Sequence, residues 1–323
     1  MRISGITYTH YKSHGSKKII LVIFALAFIA TLIVAIISTY TAWKLTRPEK
    51  RSLPIFSANI VPEYENISFR DINSEIILRG WFFDAPGGSD KTIVIAHGYG
   101  GNRLPFGEDT IDLIKSYLSE GYNILTFDFR NSGESDGNIT SVGLYEKNDL
   151  LGAINYAKSR GSEKVILLGY SMGASTCIMA AAESEHVDGI IADSPFSDLT
   201  AYLNENLRVW SVWSNWLPTP FNKTTLIAMK LLTGIDTSDV SPVNYMNKIS
   251  HIPILLIHSE DDKVIPIEHS HALKSSSNGS NVELWKTKGA THIKSYTKYP
   301  DGYINRTIEF LNLIGKEEEE DTE

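Results

Sequence analysis

Cysteine is nearly absent from this chain. Cys177 is the single one among 323 residues, which excludes an internal disulfide and any metal site built on several thiolates. Such a chain suits a cytosolic domain, and equally an external one that needs no disulfides. Positive charge is also in deficit: 30 Lys and Arg stand against 38 Asp and Glu, for a formal net charge of −8. Binding along a phosphate backbone needs concentrated cations, so nucleic acid is excluded as a main partner. The glycine-rich turn at 97–102 fits neither G-x-G-x-x-G nor G-x-x-x-x-G-K-[ST], and a nucleotide-binding reading is set aside. No internal repeat is visible, which excludes a solenoid.

What is present is an ordinary globular composition, with 42% hydrophobic and 21% charged residues, enough apolar side chain for a sizeable core. The first fifty residues break that average by being basic and apolar. From Ile19 to Ile37 the only polar residue is Thr31. At about 1.5 Å per residue, a helix of that length spans close to the ~30 Å hydrocarbon core of a bilayer. Tyr40 and Trp43 follow at interfacial depth. A cleaved signal peptide would have a shorter apolar region ending in a small-x-small site, and no good site follows Ser38. The expectation is a single-pass anchor over 19–43, with a basic tail over 1–18 and a Pro-containing linker over 44–63. Lys12, Lys17 and Lys18 precede the helix while Lys44, Arg47, Lys50 and Arg51 follow it, so the flanking charge is nearly balanced. The short basic tail favours the N-terminus inside and the folded domain on the extracytoplasmic side.

Beyond the linker, β-branched and apolar runs alternate with helical spacing. Glu75–Phe83, Thr92–Ala96, Asn123–Phe127, Lys164–Leu168, Gly189–Ala192, Ile254–Ile257 and Val282–Trp285 read as strands. Thr110–Glu120, Leu144–Arg160, Gly173–Glu183 and Tyr303–Ile314 read as helices. This alternation implies a mostly parallel central sheet with helices on both faces, occupying 64–315. Residues 196–248 interrupt it without a convincing strand and carry Trp210, Trp213 and Trp216. They read as a helical lid, with those rings as candidate walls of an apolar pocket or as packing on the core. Residues 316–323, with their run of acids, read as a disordered tail.

The sharpest chemical signal is G-Y-S-M-G at Gly169–Gly173, directly after a strand and before a helix. That setting is the nucleophile elbow, a sharp turn that exposes the serine at a helix N-terminus. Ser171 is the candidate nucleophile. A serine hydroxyl needs a base, and the base needs an acid to orient it. The strand at Ile254–His258 is followed by Glu260, Asp261 and Asp262, and the next strand by G-A-T-H ending at His292. Acid and histidine thus come in the order this topology requires. His97 opens H-G-Y-G-G-N, and that turn can bring the N–H of Tyr99 beside the N–H of Met172 as an oxyanion hole. His258 reads as structural at a strand end, and His269 and His271 as exposed on a helical stretch.

These motifs, with F-D-F-R-N-S-G-E-S-D-G at Phe127–Gly137 and D-S-P-F-S-D-L at Asp193–Leu199, resemble the α/β-hydrolase superfamily. More narrowly, they resemble its membrane-anchored Bem46-like members, over roughly Ile67 to Leu313. The resemblance implies the α/β-hydrolase fold and hydrolysis of an ester, thioester or amide with no cofactor and no metal. Aligning His258 and Pro266 with the ends of the family's H-G-x-x-D-x-x-V-P pattern puts Asp262 at the acid position. Two residues depart from the family: Ser259 and Asn131 stand where glycine is usual. The implied substrate is a small-molecule or lipid-like acyl compound. Two alternatives stay open, a serine peptidase and a binding protein on the same scaffold without catalysis.

Overall fold

The computed structural model describes residues 14–55, 60–210, 220–277 and 281–320. The chain opens with helix α1 (His14–Thr46), then strands β1 (Glu65–Arg70), β2 (Ile77–Phe83) and β3 (Lys91–Ala96). Helix α2 (Asp109–Ser119), β4 (Asn123–Asp128), α3 (Glu146–Ser159), β5 (Lys164–Tyr170), α4 (Met172–Ala181) and β6 (Gly189–Asp193) follow. After α5 (Leu199–Trp210), α6 (Pro220–Thr233) and three single-turn 3-10 helices come β7 (Ile254–Ser259), α7 (Glu268–Ser276) and β8 (Val282–Thr287). Helices α8 (Ser295–Lys298) and α9 (Pro300–Glu320) complete the described chain.

The strands form one sheet in the order β1-β2-β4-β3-β5-β6-β7-β8. It is parallel from β4 through β8, and β2 runs antiparallel to both neighbours. Alternation along each central strand divides the core. Val94 and Ala96 pack with α3, α4 and α7 on one face, while Ile93 and Ile95 pack with α2 and α9 on the other. Burial on both faces explains why these strands read as continuous apolar runs. Two elements, β1 and α9, depart most from the sequence expectation. β1 is a further strand: it buries Ile67 and Phe69 between exposed Glu65, Asn66, Ser68 and Arg70, and two apolar positions make too short an alternation to stand out in the sequence. Helix α9 carries on to Glu320, into the acidic run expected as a disordered tail, since glutamate is a good helix former.

Helix α1 has two zones. Its apolar residues from Ile19 to Ile36 are mostly exposed, and Lys17–Thr46 is a candidate membrane span with a mean hydropathy of 3.3 in its most apolar window. Its last two turns instead bury Ser38, Thr41, Ala42, Leu45 and Thr46. Those positions recur at three- and four-residue steps on one helix face, and that face packs on α6. Ser38 Oγ and Thr224 Oγ1 lie 2.7 Å apart across the contact. The chain beyond α1 is also tied down: Thr140 N–H donates to Thr46 O, and Asn102 Nδ2 donates to Arg51 O and Ser52 O. The end of the helix is therefore a packed element of the folded domain, where the sequence suggested a membrane anchor to residue 43 and a plain linker beyond it.

Candidate active site

The C-terminal ends of β5, β7 and β8 open on the same edge of the sheet, which is where a parallel sheet gathers its functional loops. Ser171 sits between β5 and α4 with φ 55° and ψ −117°, a conformation an L-residue adopts only under constraint. The constraint is visible. Ser171 N–H donates to Asp193 O at 2.8 Å, and glycines clear the space on both sides. A Cβ on Gly169 would lie 2.6 Å from Ala174 N, and one on Gly173 would overlap the carbonyl oxygens of Ala96 and His97. Only glycine lets α4 approach β3 and β5 so closely, and that approach sets the serine at the pocket floor.

His292 lies in the loop after β8. Its Nε2 is 2.8 Å from Ser171 Oγ, and its Nδ1 is 2.7 Å from Asp262 Oδ2. Asp262 is buried, and its Oδ1 accepts the N–H groups of Val264 and Ile265 at 2.9 and 3.0 Å. Burial pushes its carboxyl up, but the hydrogen bonds from His258 and His292 outweigh that and hold it well below the usual carboxylate range. The site therefore keeps a charged acid beside an imidazole whose other nitrogen faces a serine hydroxyl. Asp261, one residue earlier, is spent elsewhere: its Oδ2 accepts the N–H of Gly289 at the surface.

Several supporting residues hold these loops in place. His258 is fully buried, with Nε2 2.8 Å from Ile265 O and Nδ1 2.7 Å from Ser270 Oγ. It pins the loop that carries Asp262 onto α7, and its Nε2 lies 3.5 Å from Asp262 Oδ2. Ser259, which departs from the family glycine, donates to Ala290 O at 2.7 Å and accepts from Asp261 N–H. It joins the acid loop to the histidine loop, a role glycine could not fill. The departure from the motif was the signal. Asn131, the other departure, has φ 54°, which asparagine tolerates better than most residues. His269 corrects an expectation: it is buried rather than exposed, and its Nδ1 receives the N–H of Ser197. Helix α7 turns it inward towards the loop after β6.

The loop after β3 brings Tyr99 to the same place. Gly101 N–H donates to Gly98 O, closing a turn, and a Cβ on Gly98 would lie 3.3 Å from Ser171 Cβ. His97 holds the turn from behind, with Nδ1 2.7 Å from Gly98 O and Nε2 accepting Phe129 N–H at 3.0 Å. Burial lowers its pKa, which keeps the neutral form these two bonds need. Asp128 in turn accepts Arg103 N–H and pairs with its guanidinium, both buried. Met172 is the first residue of α4, so its N–H has no acceptor within the helix. Tyr99 and Met172 line one narrow pocket with Ser171, Leu45, Val142, Phe196, Tyr202, Leu203, Met229 and Ile265. Apart from the Ser171 hydroxyl and the two tyrosines, its walls are apolar.

One wall comes from an unexpected source. Leu45 belongs to α1, and its carbonyl accepts the Tyr99 hydroxyl at 2.8 Å. The expected aromatic walls are different. Trp213 and Trp216 lie outside the described residues, and so does the side chain of Trp210, the last residue of α5. Among the described residues, no group of three or more His, Cys, Asp and Glu could hold a metal ion.

Comparison with known proteins agrees with this architecture. The α/β-hydrolase fold family matches residues 91–235. The uncharacterized protein YqkD of Bacillus subtilis (strain 168) is 32% identical over 71% of this chain and 73% of its own. The lysophosphatidylserine lipase ABHD12 of Macaca fascicularis is 30% identical over 60% of this chain, which spans 47% of that protein. Among solved structures, the Pyrococcus furiosus esterase Pf2001 superposes with a TM-score of 0.67 at 28% identity, over 83% of this chain and 98% of its own.

Proposed function

This chain belongs to the α/β-hydrolase fold family, and from that membership we propose that it is a membrane-anchored serine hydrolase of acyl esters. The observation that carries the reading is the unbroken relay from Asp262 through His292 to Ser171, with both hydrogen bonds under 3 Å. Asp262 holds the proton on Nδ1 of His292, which leaves Nε2 as the base facing Ser171 Oγ. As Oγ attacks the acyl carbon, Nε2 takes its proton, and the imidazolium is stabilised by the Asp262 charge. The N–H groups of Met172 and Tyr99 meet the oxyanion, aided by the partial positive charge at the start of α4. His292 then protonates the leaving alkoxide. Water then attacks the acyl carbon as Nε2 takes its proton, the acyl–Oγ bond breaks, and His292 returns the proton to Ser171 Oγ as the acid leaves.

Esters are favoured over peptides by the pocket, whose apolar walls suit an acyl chain and offer no groups to grip a peptide backbone. The activities by which two similar proteins are named, a lysophosphatidylserine lipase and an esterase, support the same class. The apolar zone of α1 would hold the enzyme in a bilayer, with the catalytic domain on the extracytoplasmic side. Protease added to intact cells should then remove the domain, and full protection with normal lysis controls would overturn that orientation. The chemical assignment is tested with p-nitrophenyl esters of graded acyl length. Wild type should turn them over and Ser171→Ala should not. Equal rates for the two proteins would refute it.

A further inference from the structure

The loop between β4 and α3 supplies one wall of the pocket through Val142, and it holds that residue in a conformation valine resists. Val142 has φ 59°. In this left-handed region the Cβ crowds the following carbonyl oxygen, and a branched or bulky side chain makes the clash worse. Among the described residues, the other β-branched side chain at positive φ is Ile293, directly after His292. Strain of this kind persists only where the surroundings over-determine it, and it gathers at functional sites.

Val142 is pinned from several sides. Glu146 is fully buried, and its carboxylate accepts the N–H of Ser141 at 2.9 Å and that of Gly143 at 2.7 Å. The residues on both sides of the valine are thus held by one side chain, which also accepts the Ser141 hydroxyl. One residue earlier, Thr140 N–H donates to Thr46 O at the end of α1, and Thr140 Oγ1 accepts Asn131 Nδ2. Gly143 is pressed against α4 and the chain after α6: a Cβ there would lie 3.1 Å from Met179 Cε and 3.2 Å from Val240 Cγ1. The loop cannot shift to relax the valine without breaking these contacts. The valine itself packs against the cluster containing Leu45, Met179 and Phe196, and lines the cavity that holds Ser171. A glycine would take this φ freely, so the cost is tied to having a side chain at this wall. We propose that Val142 sets the width of the acyl pocket, so that it admits an unbranched acyl chain and rejects a branched or cyclic one. A wall locked in this way can discriminate, because it does not yield to a wider group. The proposal rests on the serine-hydrolase reading and narrows its acyl group.

The test uses the full chain with p-nitrophenyl heptanoate and p-nitrophenyl cyclohexanecarboxylate, which carry equal numbers of acyl carbons in a straight and a cyclic form. Wild type should favour the straight ester in kcat/KM. Val142→Ala and Val142→Gly should each lower that preference about tenfold or more, the scale on which an apolar pocket discriminates by a methylene or two. Because the readout is a ratio of two substrates, a general loss of activity does not move it. Thermal melts then test the strain. Alanine is ordinarily the more stable of the two replacements, but at this φ the order should reverse, with Val142→Gly melting about 3 °C above Val142→Ala. Equal kcat/KM on both esters by wild type would overturn the proposal, and so would a preference that survives both variants. Val142→Ala melting above Val142→Gly would overturn it as well, since the wall would then be held without strain. Turnover of neither ester by wild type would sink this inference. Fluorophosphonate labelling of Ser171 in that case would leave the serine hydrolase standing, and no labelling would sink that reading too.

Discussion

Replacing Asp262 by asparagine changes one atom at the centre of the proposed relay, and its effect follows from the hydrogen bonds around it. Oδ1 accepts two backbone N–H groups, from Val264 and Ile265. An amide NH2 cannot accept either bond, so the asparagine oxygen takes that position and its NH2 turns to His292. His292 Nδ1 must then be the acceptor, which moves the imidazole proton to Nε2. That proton points at Ser171 Oγ, and the base is gone. Wrong-tautomer substitution in a serine protease triad costs about 10⁴-fold in kcat, equivalent to roughly 5 kcal/mol of barrier at about 1.4 per tenfold. Asp262→Asn should fall by that order while its thermal midpoint stays close to wild type, since the shape and the two backbone bonds survive. Asp261→Asn, at a surface carboxylate that accepts from Gly289, should stay within about threefold of wild type, as surface changes usually do. Steady-state hydrolysis of a p-nitrophenyl ester, beside thermal melts, decides between them. A larger loss in Asp261→Asn than in Asp262→Asn would refute the assignment of the acid.

Two further outcomes follow from the elbow and its surroundings. Gly173→Ala places a methyl group into the carbonyls of Ala96 and His97, so α4 must move away from β3. Overpacking of this kind costs about 1–3 kcal/mol, and a displaced Met172 N–H should lower kcat about a hundredfold; melting and kinetics together would show both losses. Asp193 is a fully buried carboxyl whose pKa burial raises from 3.8 to about 6. The folded chain therefore holds this proton where the unfolded chain has lost it. Stability from this group falls as pH rises from about 4 to about 6, and the full penalty persists above. Asp193→Asn should remove that slope and stabilise the protein at neutral pH, by on the order of 3 kcal/mol at most. Urea titrations at several pH values would measure it, and an unchanged slope would contradict the burial argument.

The sequence carried most of the fold because its strands are buried on both faces and read as short apolar runs between helices of clear period. G-Y-S-M-G and the ordered acid and histidine loops pointed to Ser171, Asp262 and His292 because chain order and strand ends constrain them together. What stayed hidden depends on packing that no local pattern records. His269 lies in a helix of mixed polarity, and only the docking of α7 against the loop after β6 shows which way it turns. Leu45 reads as part of the linker after a membrane helix, and only the contact of α1 with α6 and Tyr99 makes it a pocket wall. Ser259 looked like a blemish in a motif, yet its hydroxyl links the two loops that hold the acid and the base.

The central claim is that Ser171 is a nucleophile activated by His292. The full chain should be treated with a fluorophosphonate probe, digested, and its peptides mapped by mass spectrometry, beside His292→Ala. A single adduct on Ser171, sharply slowed in His292→Ala, is the result expected here. No adduct on folded protein, or labelling at another residue with Ser171 unmodified, would contradict it.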